Sequence, residues 1–316
     1  MNTARKLFYY NGGFLRQKRV RRILSMAGYE LTLGLPDRGD MVAVWGQSPN
    51  QYRGQWIAKK RKAGLLRVED AFLRSVQPGR AGDPPLGLIL DRSGCHFDAS
   101  YPCDLENILR HDPLKDTDLL CCAEQTIMRI RDNHISKYNA FETTQSPPAP
   151  GYVLVIDQTF GDAALRASGA GKAEFKAMLA AARREHPDAN IIIKSHAETI
   201  LGHRRGYFSA ADATDTIRLL ATPISPWQLF DGAIAVYTMS SQMGFEAILA
   251  GHTPHVFGQP FYAGWGLSKD RKPITGRTRI LSRAQLFAAA MILYPIWYDP
   301  YRDRLCALED VLDILE

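Results

Sequence analysis

Ionisable and hydroxyl side chains follow three short apolar runs in the second half of the sequence. Asp157 ends YVLVID, and Lys194 and His196 follow NIII. Ser240 and Ser241 come just after AIAVY. If these runs are parallel strands, their carboxyl ends lie at one edge of a sheet, where α/β proteins bind ligands. An amine, an imidazole and two hydroxyls at that edge indicate an anionic ligand such as a phosphate.

Each of these side chains also has a purely structural interpretation. The two serines could only cap the helix predicted at 240–251, a role worth about 1 kcal/mol. His196 could be a packed histidine, although Lys194 stands close to it at the strand end. Asp157, and Asp162 in the turn that follows, could be caps. The residues alone leave both interpretations open.

An acidic pair lies in the first half of the chain. Glu69 and Asp70 end the run LLRVED, and Arg74 follows in EDAFLRS. A solvated turn is the ordinary interpretation of such a pair. Two carboxyls at a strand end can also do acid/base work, and Arg74 could offer its planar guanidinium to a carboxylate of a ligand.

Apolar runs alternate with helical patterns, and a polar, proline-rich stretch at 141–151 divides them into two series. The sequence predicts strands at 41–45, 65–70, 87–91, 152–157, 190–194, 216–220, 233–237 and 254–257, and helices at 51–64, 104–111, 114–135, 172–187 and 240–251. Such alternation predicts parallel sheets covered on both faces. The fold class is therefore α/β, with two Rossmann-like domains facing a central cleft.

Common nucleotide and metal signatures are missing from the sequence. No GxGxxG follows a predicted strand, which disfavours a dinucleotide-dependent oxidoreductase. SGAGKAEF (168–175) resembles a P-loop, but Arg166 replaces its first glycine and Ala173 its magnesium-binding hydroxyl. The five cysteines form no CxxC pair and no cluster with histidine at zinc spacing. We predict no metal site.

Composition indicates a globular protein. Hydrophobic residues make up 46% of the 316 residues, and no run approaches the roughly 18 uncharged residues of a membrane span. The N-terminal stretch MNTARKLFYYNGGFLRQKRVRR lacks the apolar core of a secretory signal. The odd number of scattered cysteines favours reduced thiols. We therefore expect a cytoplasmic protein.

The net charge of +6 is concentrated in two basic runs, RQKRVRR at 16–22 and KKRK at 59–62. Such runs are commonly solvated helix faces. They also suit an anionic membrane surface or an anionic sugar. No nucleic-acid motif accompanies them, so nucleic acid is not an expected partner.

The stretch GQPFYAGWGLSKDR (258–271) fits neither the helical nor the strand period. Its aromatic residues, Tyr262 and Trp265 among them, lie between glycines. They could form an apolar wall or sugar platform at the cleft, with Gly264 and Gly266 letting the backbone approach the donor or the facing domain. Alternatively, the aromatic residues only pack the loop against the core.

These motifs belong to a longer ordered set. The set comprises RVEDAFLRSV (67–76), DPPLGLILDRSGCHFDASYPCDLENIL (83–109), SKYN (136–139), VIDQTFGDA (155–163), KSHAETILGHRRGYF (194–208), SSQMGFEAILAG (240–251) and the aromatic stretch at 258–271. It resembles the retaining β-Kdo glycosyltransferases of capsule biosynthesis, the KpsC (LipA) family, over nearly the whole chain from about residue 40.

The resemblance implies a GT-B architecture and no cofactor, with CMP-β-Kdo as donor. The acceptor would be a lipid-linked Kdo chain, and the protein would be peripheral to the inner face of the cytoplasmic membrane beside other capsule biosynthesis or export proteins. The chain is long enough for one catalytic module, and its DQTFGD turn favours a β-2,4 over a β-2,7 linkage. Residues 1–145 would form the acceptor-side domain, joined by a helix at 282–316, and 150–281 the CMP-sugar domain.

The resemblance also implies a nucleophile. The aspartate of the family matches Asp162, which would trap an oxocarbenium-like centre in a double displacement. Nearby cations would keep it ionised, with Lys194 and Arg166 as candidates.

Other roles follow from the same resemblance. The family's His-Pro pair matches His196 and Ala197, so the proline is missing here. Ser240 and Ser241 match a pair that would hold the CMP phosphate. Glu69 is the acid/base candidate, in a segment where alanine replaces the family's glycine. Further donor-binding candidates are Asp157, Gln158, Lys194 and Arg166, and cleft or acceptor candidates are Asp70, Arg74, Tyr262 and Trp265.

Two alternatives stay open. Since a phosphate-binding site does not distinguish one sugar from another, the donor could be another CMP-activated acidic sugar. The protein could also be a non-catalytic partner that binds CMP-sugar or lipid-linked glycan in a capsule assembly complex.

Overall fold

The structure, a computed structural model, describes residues 4–142 and 145–316. The predicted linker and the predicted first domain both include residues outside this part. Its strands are β1 (Arg5–Tyr9), β2 (Tyr29–Thr32), β3 (Met41–Trp45), β4 (Gly64–Asp70), β5 (Gly87–Asp91), β6 (Tyr152–Ile156), β7 (Ile191–Lys194), β8 (Ile217–Leu220), β9 (Ala233–Thr238), β10 (His255–Val256), β11 (Lys269–Asp270), β12 (Pro295–Asp299) and β13 (Arg304–Cys306).

The helices are close to the predicted ranges where a prediction exists. They are α1 (Gly13–Arg16), α2 (Lys18–Met26), α3 (Gln51–Arg61), α4 (Asp104–His111), α5 (Thr117–Asp132), α6 (Ala163–Ala167), α7 (Lys172–Glu185), α8 (Ala197–Ile200), α9 (Pro226–Gly232), α10 (Gln242–Ala250), α11 (Arg283–Phe287) and α12 (Leu308–Leu315).

The first sheet has the strand order β13-β12-β5-β4-β3-β1-β2 and is mixed. The strands β1 to β4 pair in parallel, whereas β5 pairs antiparallel with both β4 and β12. The prediction of a parallel sheet is therefore wrong here. Its physical reason is the link at 71–86, which holds one short 3-10 turn instead of the crossover helix that a parallel return needs.

The second sheet has the order β11-β10-β9-β6-β7-β8 and is parallel throughout, as predicted. Its strand β6, YVLVI, is buried along its whole length, which is typical of a parallel strand covered on both faces. The carboxyl ends of β6, β7 and β9 therefore lie at one edge, and the loops after them carry the predicted polar residues.

The last part of the chain returns to the first sheet. A single helix at 282–316 is not present, because α11 continues into a π-helical turn at Ala288–Leu293 and the hairpin β12–β13 follows. Pro295 cannot continue a helix, and the aromatic run PIWYD favours a strand. The end of α12 then contacts α5, where Arg129 donates to Glu316 at 2.6 Å.

Aromatic side chains join the two halves beneath the cleft. The ring of Phe72, after β4, lies 4.7 Å from that of Phe261 and 6.4 Å from that of Phe245 on α10, centroid to centroid. Gln242 Nε2 donates to the carbonyl of Phe72 at 2.8 Å across the same boundary. A buried core cluster contains residues of both halves. This packing fixes the first sheet against the second around the cleft.

Candidate active site

A cleft of about 630 Å³ lies between the two halves. A cavity of this size suits a small organic ligand. Its walls come from the carboxyl ends of β4, β6, β7 and β9 and from the start of α10. The predicted residues that line it are Glu69, Asp70, Asp157, Gln158, Asp162, Lys194, His196, Ser240 and Ser241.

The DQTFGD turn is held in place by its first aspartate. Asp157 Oδ1 accepts from its neighbour's N–H and from Tyr207 N at 3.0 Å, and its Oδ2 accepts from Phe208 N at 3.3 Å. A Cβ on Gly206 would lie 2.1 Å from Asp157 Oδ2, so only glycine fits there. Burial raises the pKa of Asp157 to about 6, against these backbone donors. Asp157 therefore anchors the turn to the loop beyond α8.

Asp162 ends this turn at the edge of the cleft. Its Oδ1 caps α6 by accepting from Ala164 N at 2.9 Å. Within the described residues, Oδ2 makes no hydrogen bond to protein. The structure thus confirms the capping interpretation and leaves one carboxylate oxygen for the cleft. The negative charge of Asp162 helps to raise the pKa of Lys137.

His196 presents a hydrogen-bond donor to the cleft. Its Nδ1 accepts from Glu198 N at 3.1 Å as the cap of α8, so the ring proton of the neutral form is on Nε2. Burial, followed by the charges of Lys137, Arg204 and Lys194, lowers the pKa of His196 to about 3. The imidazole is therefore neutral at physiological pH.

Lys194 is a buried amine at the end of β7. Its Nζ donates to the carbonyl of Thr222 at 2.8 Å, and burial lowers its pKa to about 8. At neutral pH most of the side chain carries its charge, next to the imidazole of His196. Together they provide one cation and one neutral N–H donor for an anion.

The two serines differ in their hydrogen bonds: one caps the helix, and the other has a hydroxyl that is free among the described residues. Ser241 caps α10, since its Oγ accepts from Met243 N at 3.3 Å. The hydroxyl of Ser240 is buried and makes no hydrogen bond to any described residue. Ser240 N donates to Gln158 Oε1 at 2.9 Å, which fixes its position. The unsatisfied hydroxyl at a helix N-terminus is the group that a bound anion would satisfy.

Three partly buried carboxyls act electrostatically on one lysine on the opposite wall. Burial, then the charge of Asp70, raises the pKa of Glu69 to about 8, and Lys137 opposes this rise. Tyr138, followed by Asp70, Asp162 and Glu69, raises the pKa of Lys137 against the effect of burial. Glu69 is therefore mostly protonated at neutral pH, as suits a group that exchanges protons.

Four predicted site residues do not line the cleft. The guanidinium of Arg74 is buried, and it donates to Asp70 at 2.6 Å, to Ser75 and to the carbonyl of Asp83. It is therefore not available to bind a ligand carboxylate in the cleft. Arg166 is exposed and donates to the carbonyl of Gly161. Lys137, and not Arg166, is the cation whose pKa the charge of Asp162 raises.

Tyr262 and Trp265 are fully buried, so the packing interpretation of the aromatic stretch is correct for them. Tyr262 Oη donates to the carbonyl of Ser241 at 2.6 Å and thereby supports the start of α10. Trp265 Nε1 donates within the loop to Phe261, which itself lines the cleft.

The glycines of the stretch serve the loop itself. Gly264 and Gly266 have φ of 84° and 81°, which favour glycine. A Cβ on Gly264 would lie 3.1 Å from Arg277 Cβ. Arg277 in turn binds Glu106 of the first half at 3.0 Å. The backbone at Gly264 therefore approaches Arg277, which joins the two halves. The loop supports the cleft, and these glycines do not line it.

Sequence reasoning missed several cleft residues. Lys137 and Tyr138 lie within the motif SKYN, whose presence was the only signal for them. Glu246 on α10 accepts from Ser136 Oγ at 2.8 Å, and burial raises its pKa to about 7. His96 also lines the cleft, and burial lowers its pKa to about 3. Helical periodicity places Glu246 on a helix without indicating what it faces.

Neither a metal cluster nor a membrane span is present in the described part of the chain. In residues 4–142 and 145–316, no three His, Cys, Asp or Glu side chains are grouped as a metal ion would require. Across the same residues, no helix combines the length and the apolarity needed to cross a bilayer.

Two facing α/β halves, with polar side chains at the strand ends of the second sheet, define a GT-B-type fold. The chain belongs to the capsule polysaccharide biosynthesis protein family, whose model matches residues 40–145 and 116–296. The structure superposes with a TM-score of 0.91 and 33% identity on Thermosulfurimonas dismutans KpsC, beta Kdo 2,4 transferase, covering 100% of this chain and 98% of that one. The beta Kdo 2,7 transferase of the same KpsC shares the fold, with a TM-score of 0.73 and 22% identity over 98% of each chain.

The chain is also similar to curated proteins of capsule polysaccharide modification and lipopolysaccharide processing. The chain is 36% identical over 288 residues to the capsule polysaccharide modification protein LipA of Neisseria meningitidis serogroup B, which covers 87% of this chain and 41% of LipA. It is 35% identical over 243 residues to the lipopolysaccharide-processing protein LpsZ of Rhizobium meliloti, covering 75% of this chain and 55% of LpsZ. The chain thus spans about half the length of these relatives.

Proposed function

We propose that the protein is a retaining β-Kdo glycosyltransferase that moves Kdo from CMP-β-Kdo to a lipid-linked Kdo acceptor in capsule linker synthesis. The observation that carries the proposal is the meeting of the Asp162 carboxylate, in one cleft, with phosphate-binding donors at the ends of β7 and β9. The similarity to a solved Kdo transferase at 33% identity supports the choice of sugar.

In the first step, the free Oδ2 of Asp162 attacks the anomeric carbon of Kdo. The bond from that carbon to the phosphate oxygen breaks, and its electron pair leaves with CMP. The cap that Oδ1 makes with Ala164 N aims the carboxylate and holds it on the turn. A covalent glycosyl-aspartate divides one difficult displacement into two easier ones.

In the second step, the acceptor hydroxyl attacks the same carbon from the opposite face. The bond to Asp162 breaks and restores the carboxylate, and the hydroxyl proton passes to the carboxylate form of Glu69. Two inversions at one carbon give net retention. The pKa of about 8 for Glu69 makes that form a strong enough base to take the proton near neutral pH.

Protein groups, with no metal ion, would neutralise the departing CMP phosphate. The Lys194 ammonium, the His196 Nε2–H and the free Ser240 hydroxyl are fixed in the cleft before the donor binds. Donors that are already oriented toward developing charge stabilise a transition state without reorganising.

A β-2,4 linkage is the product we propose. The basis is the greater similarity to the KpsC beta Kdo 2,4 transferase, with TM-scores of 0.91 against 0.73 for the 2,7 transferase. Methylation analysis of the product from a soluble β-Kdo acceptor checks the linkage.

Incubation with freshly generated CMP-Kdo tests the proposed function. We expect CMP release and an intact-protein mass increased by one Kdo residue, which disappears when a Kdo-lipid acceptor is added. Turnover of CMP-sialic acid in place of CMP-Kdo would indicate another acidic sugar. Binding of CMP without turnover of either donor would indicate a non-catalytic partner.

We further propose a cytoplasmic protein that binds an anionic membrane surface peripherally. A shallow apolar groove on the first half is lined by Leu15, Leu33, Tyr52 and Trp56, and the side chains of Leu33 and Trp56 are 69% and 59% exposed. The basic run at 59–62 borders this apolar surface, with Lys60 Nζ 4.8 Å from the Trp56 ring. Aromatic residues beside lysines suit the lipid interface.

Vesicle sedimentation tests this surface. The protein should bind vesicles containing phosphatidylglycerol, and binding should fall as salt screens the charges. Trp56→Ala should lower the bound fraction at every salt concentration, because it removes apolar contact area. A bound fraction that changes neither with salt nor with the substitution would contradict the proposal.

A further inference from the structure

A second groove adjoins the cleft on the side of the first sheet. The two cavities share Asp70 and Tyr138 as lining residues, so they are adjacent. The remaining walls of this basic groove are the start of α2, the loop at 79–85 and the ring of Tyr298. It therefore leads away from Glu69 and Asp70, on the wall that faces the donor-binding residues.

Positive charge dominates this groove. Its cationic side chains are Arg16, Lys18, Arg19, Arg22, Arg74 and Arg80. Its acidic side chains are Asp70, Asp83 and Glu198. A concave surface lined mainly by one sign of charge concentrates counter-ions of the other sign.

Three of the cations have carboxylate partners within the protein. Arg74 binds Asp70 at 2.6 Å, as described above, and Arg22 binds Asp303 at 2.7 Å. Arg80 is more loosely placed, 3.7 Å from Glu198. These pairs account for much of the acidic charge in and near the groove.

The other three cations have no carboxylate within 4.0 Å among the described residues. Arg16 and Lys18 are exposed at the mouth of the groove. Arg19 is half-buried and makes one long hydrogen bond, 3.4 Å, to the carbonyl of Pro84. The Arg19 guanidinium carbon lies 6.0 Å from the centre of the Tyr298 ring. Burial lowers the pKa of Arg19, and Tyr298 and Asp83 oppose that fall.

We propose that this basic groove binds the anionic part of the acceptor, through sugar carboxylates or a lipid phosphate. The inference rests on the proposed function. The acceptor hydroxyl would lie at Glu69, and the negatively charged part of the chain would extend past Tyr138 toward Arg16 and Lys18. The neighbouring Leu15 belongs to the exposed apolar groove, so α1 connects the membrane surface to the path of the acceptor.

Equilibrium binding tests the groove without requiring catalysis. The probe is a soluble, fluorescently labelled β-Kdo disaccharide, followed by anisotropy in the absence of donor. The groove variant is Arg16→Ala/Lys18→Ala. The matched control is Lys172→Ala/Arg183→Ala, which removes one lysine and one arginine from exposed positions on α7 outside both cavities.

We expect the groove variant to bind the probe roughly tenfold more weakly and the control within twofold of wild type. A carboxyl-reduced, neutral form of the disaccharide should bind wild type about as weakly as the charged probe binds the groove variant. Thermal melting of both variants near the wild-type temperature would show that folding is intact, because all four side chains are exposed.

The outcomes separate the groove from the proposed function. If wild type turns over CMP-Kdo but the groove variant binds both the soluble probe and a phosphatidylglycerol-linked Kdo acceptor like the control, the groove inference is overturned and the transferase remains. If wild type neither binds the probe nor turns over CMP-Kdo, both fail.

A phosphatidylglycerol-linked Kdo acceptor in detergent micelles then identifies the anion. Weaker binding of the groove variant to both acceptors assigns the groove to sugar carboxylates. Weaker binding to the phospholipid acceptor alone assigns it to the lipid phosphate.

Discussion

Asp162→Asn is expected to abolish the covalent adduct and to lower kcat for Kdo transfer by at least about 10³-fold. An amide oxygen is a poor nucleophile and cannot leave as a carboxylate, so both displacements fail. Asparagine caps helices as well as aspartate does, so the hydrogen bond to Ala164 N and the turn should survive. The measurement is intact-protein mass with CMP-Kdo, followed by single-turnover kinetics.

The control for this substitution is Asp188→Asn, at an exposed position outside the cleft. It should form the adduct at the wild-type rate. Peptide mapping of the wild-type adduct should place the Kdo residue on Asp162. Product formation by Asp162→Asn at more than a tenth of the wild-type rate would show that another group, or no covalent group, carries the reaction.

Lys137→Met is expected to lower kcat/KM by roughly 10²-fold, because a fixed cation near developing charge contributes at this scale. Its loss also changes the pH dependence. Lys137 lowers the pKa of Glu69, so removing it moves that pKa upward from about 8. Because the second step needs the Glu69 carboxylate, activity should rise with pH through about 8 in wild type and at a higher pH in the variant. A pH–rate profile measures the shift.

Lys137→Arg keeps the positive charge, so its activity should rise with pH over the same range as in wild type. Lys115→Met, at an exposed position, removes a lysine without touching the cleft and should behave like wild type. An unchanged pH profile in Lys137→Met would contradict the placement of this lysine beside Glu69 and Asp162.

Predictions from the sequence succeed where the signal is contained in a few neighbouring residues. The buried strand YVLVI, the serine cap of α10 and its glycine stop depend on local apolarity and backbone freedom. Polar residues at the carboxyl ends of such strands then meet in the cleft, because parallel strands all end at the same edge.

Predictions fail where a contact joins distant parts of the chain. Glu246 meets Ser136 across 110 positions, and Gln242 meets Phe72 across 170. Two predictions fail at shorter range: Asp70 and Asp83, four and nine positions from Arg74, bind its guanidinium, and the ring of Trp265 faces the core. The periodicity of apolar residues does not predict which side chains of a loop face the core.

The sequence by itself determined the α/β class, the parallel second sheet and the strand-end residues around Asp162, His196 and Ser240. Only the tertiary structure decided that the first sheet is mixed, that three carboxyls act electrostatically on Lys137, and that a basic groove adjoins the cleft. The physical reason is range: strand and cap preferences act over a few residues, whereas burial, charge coupling and cavity shape depend on which distant surfaces the fold brings together.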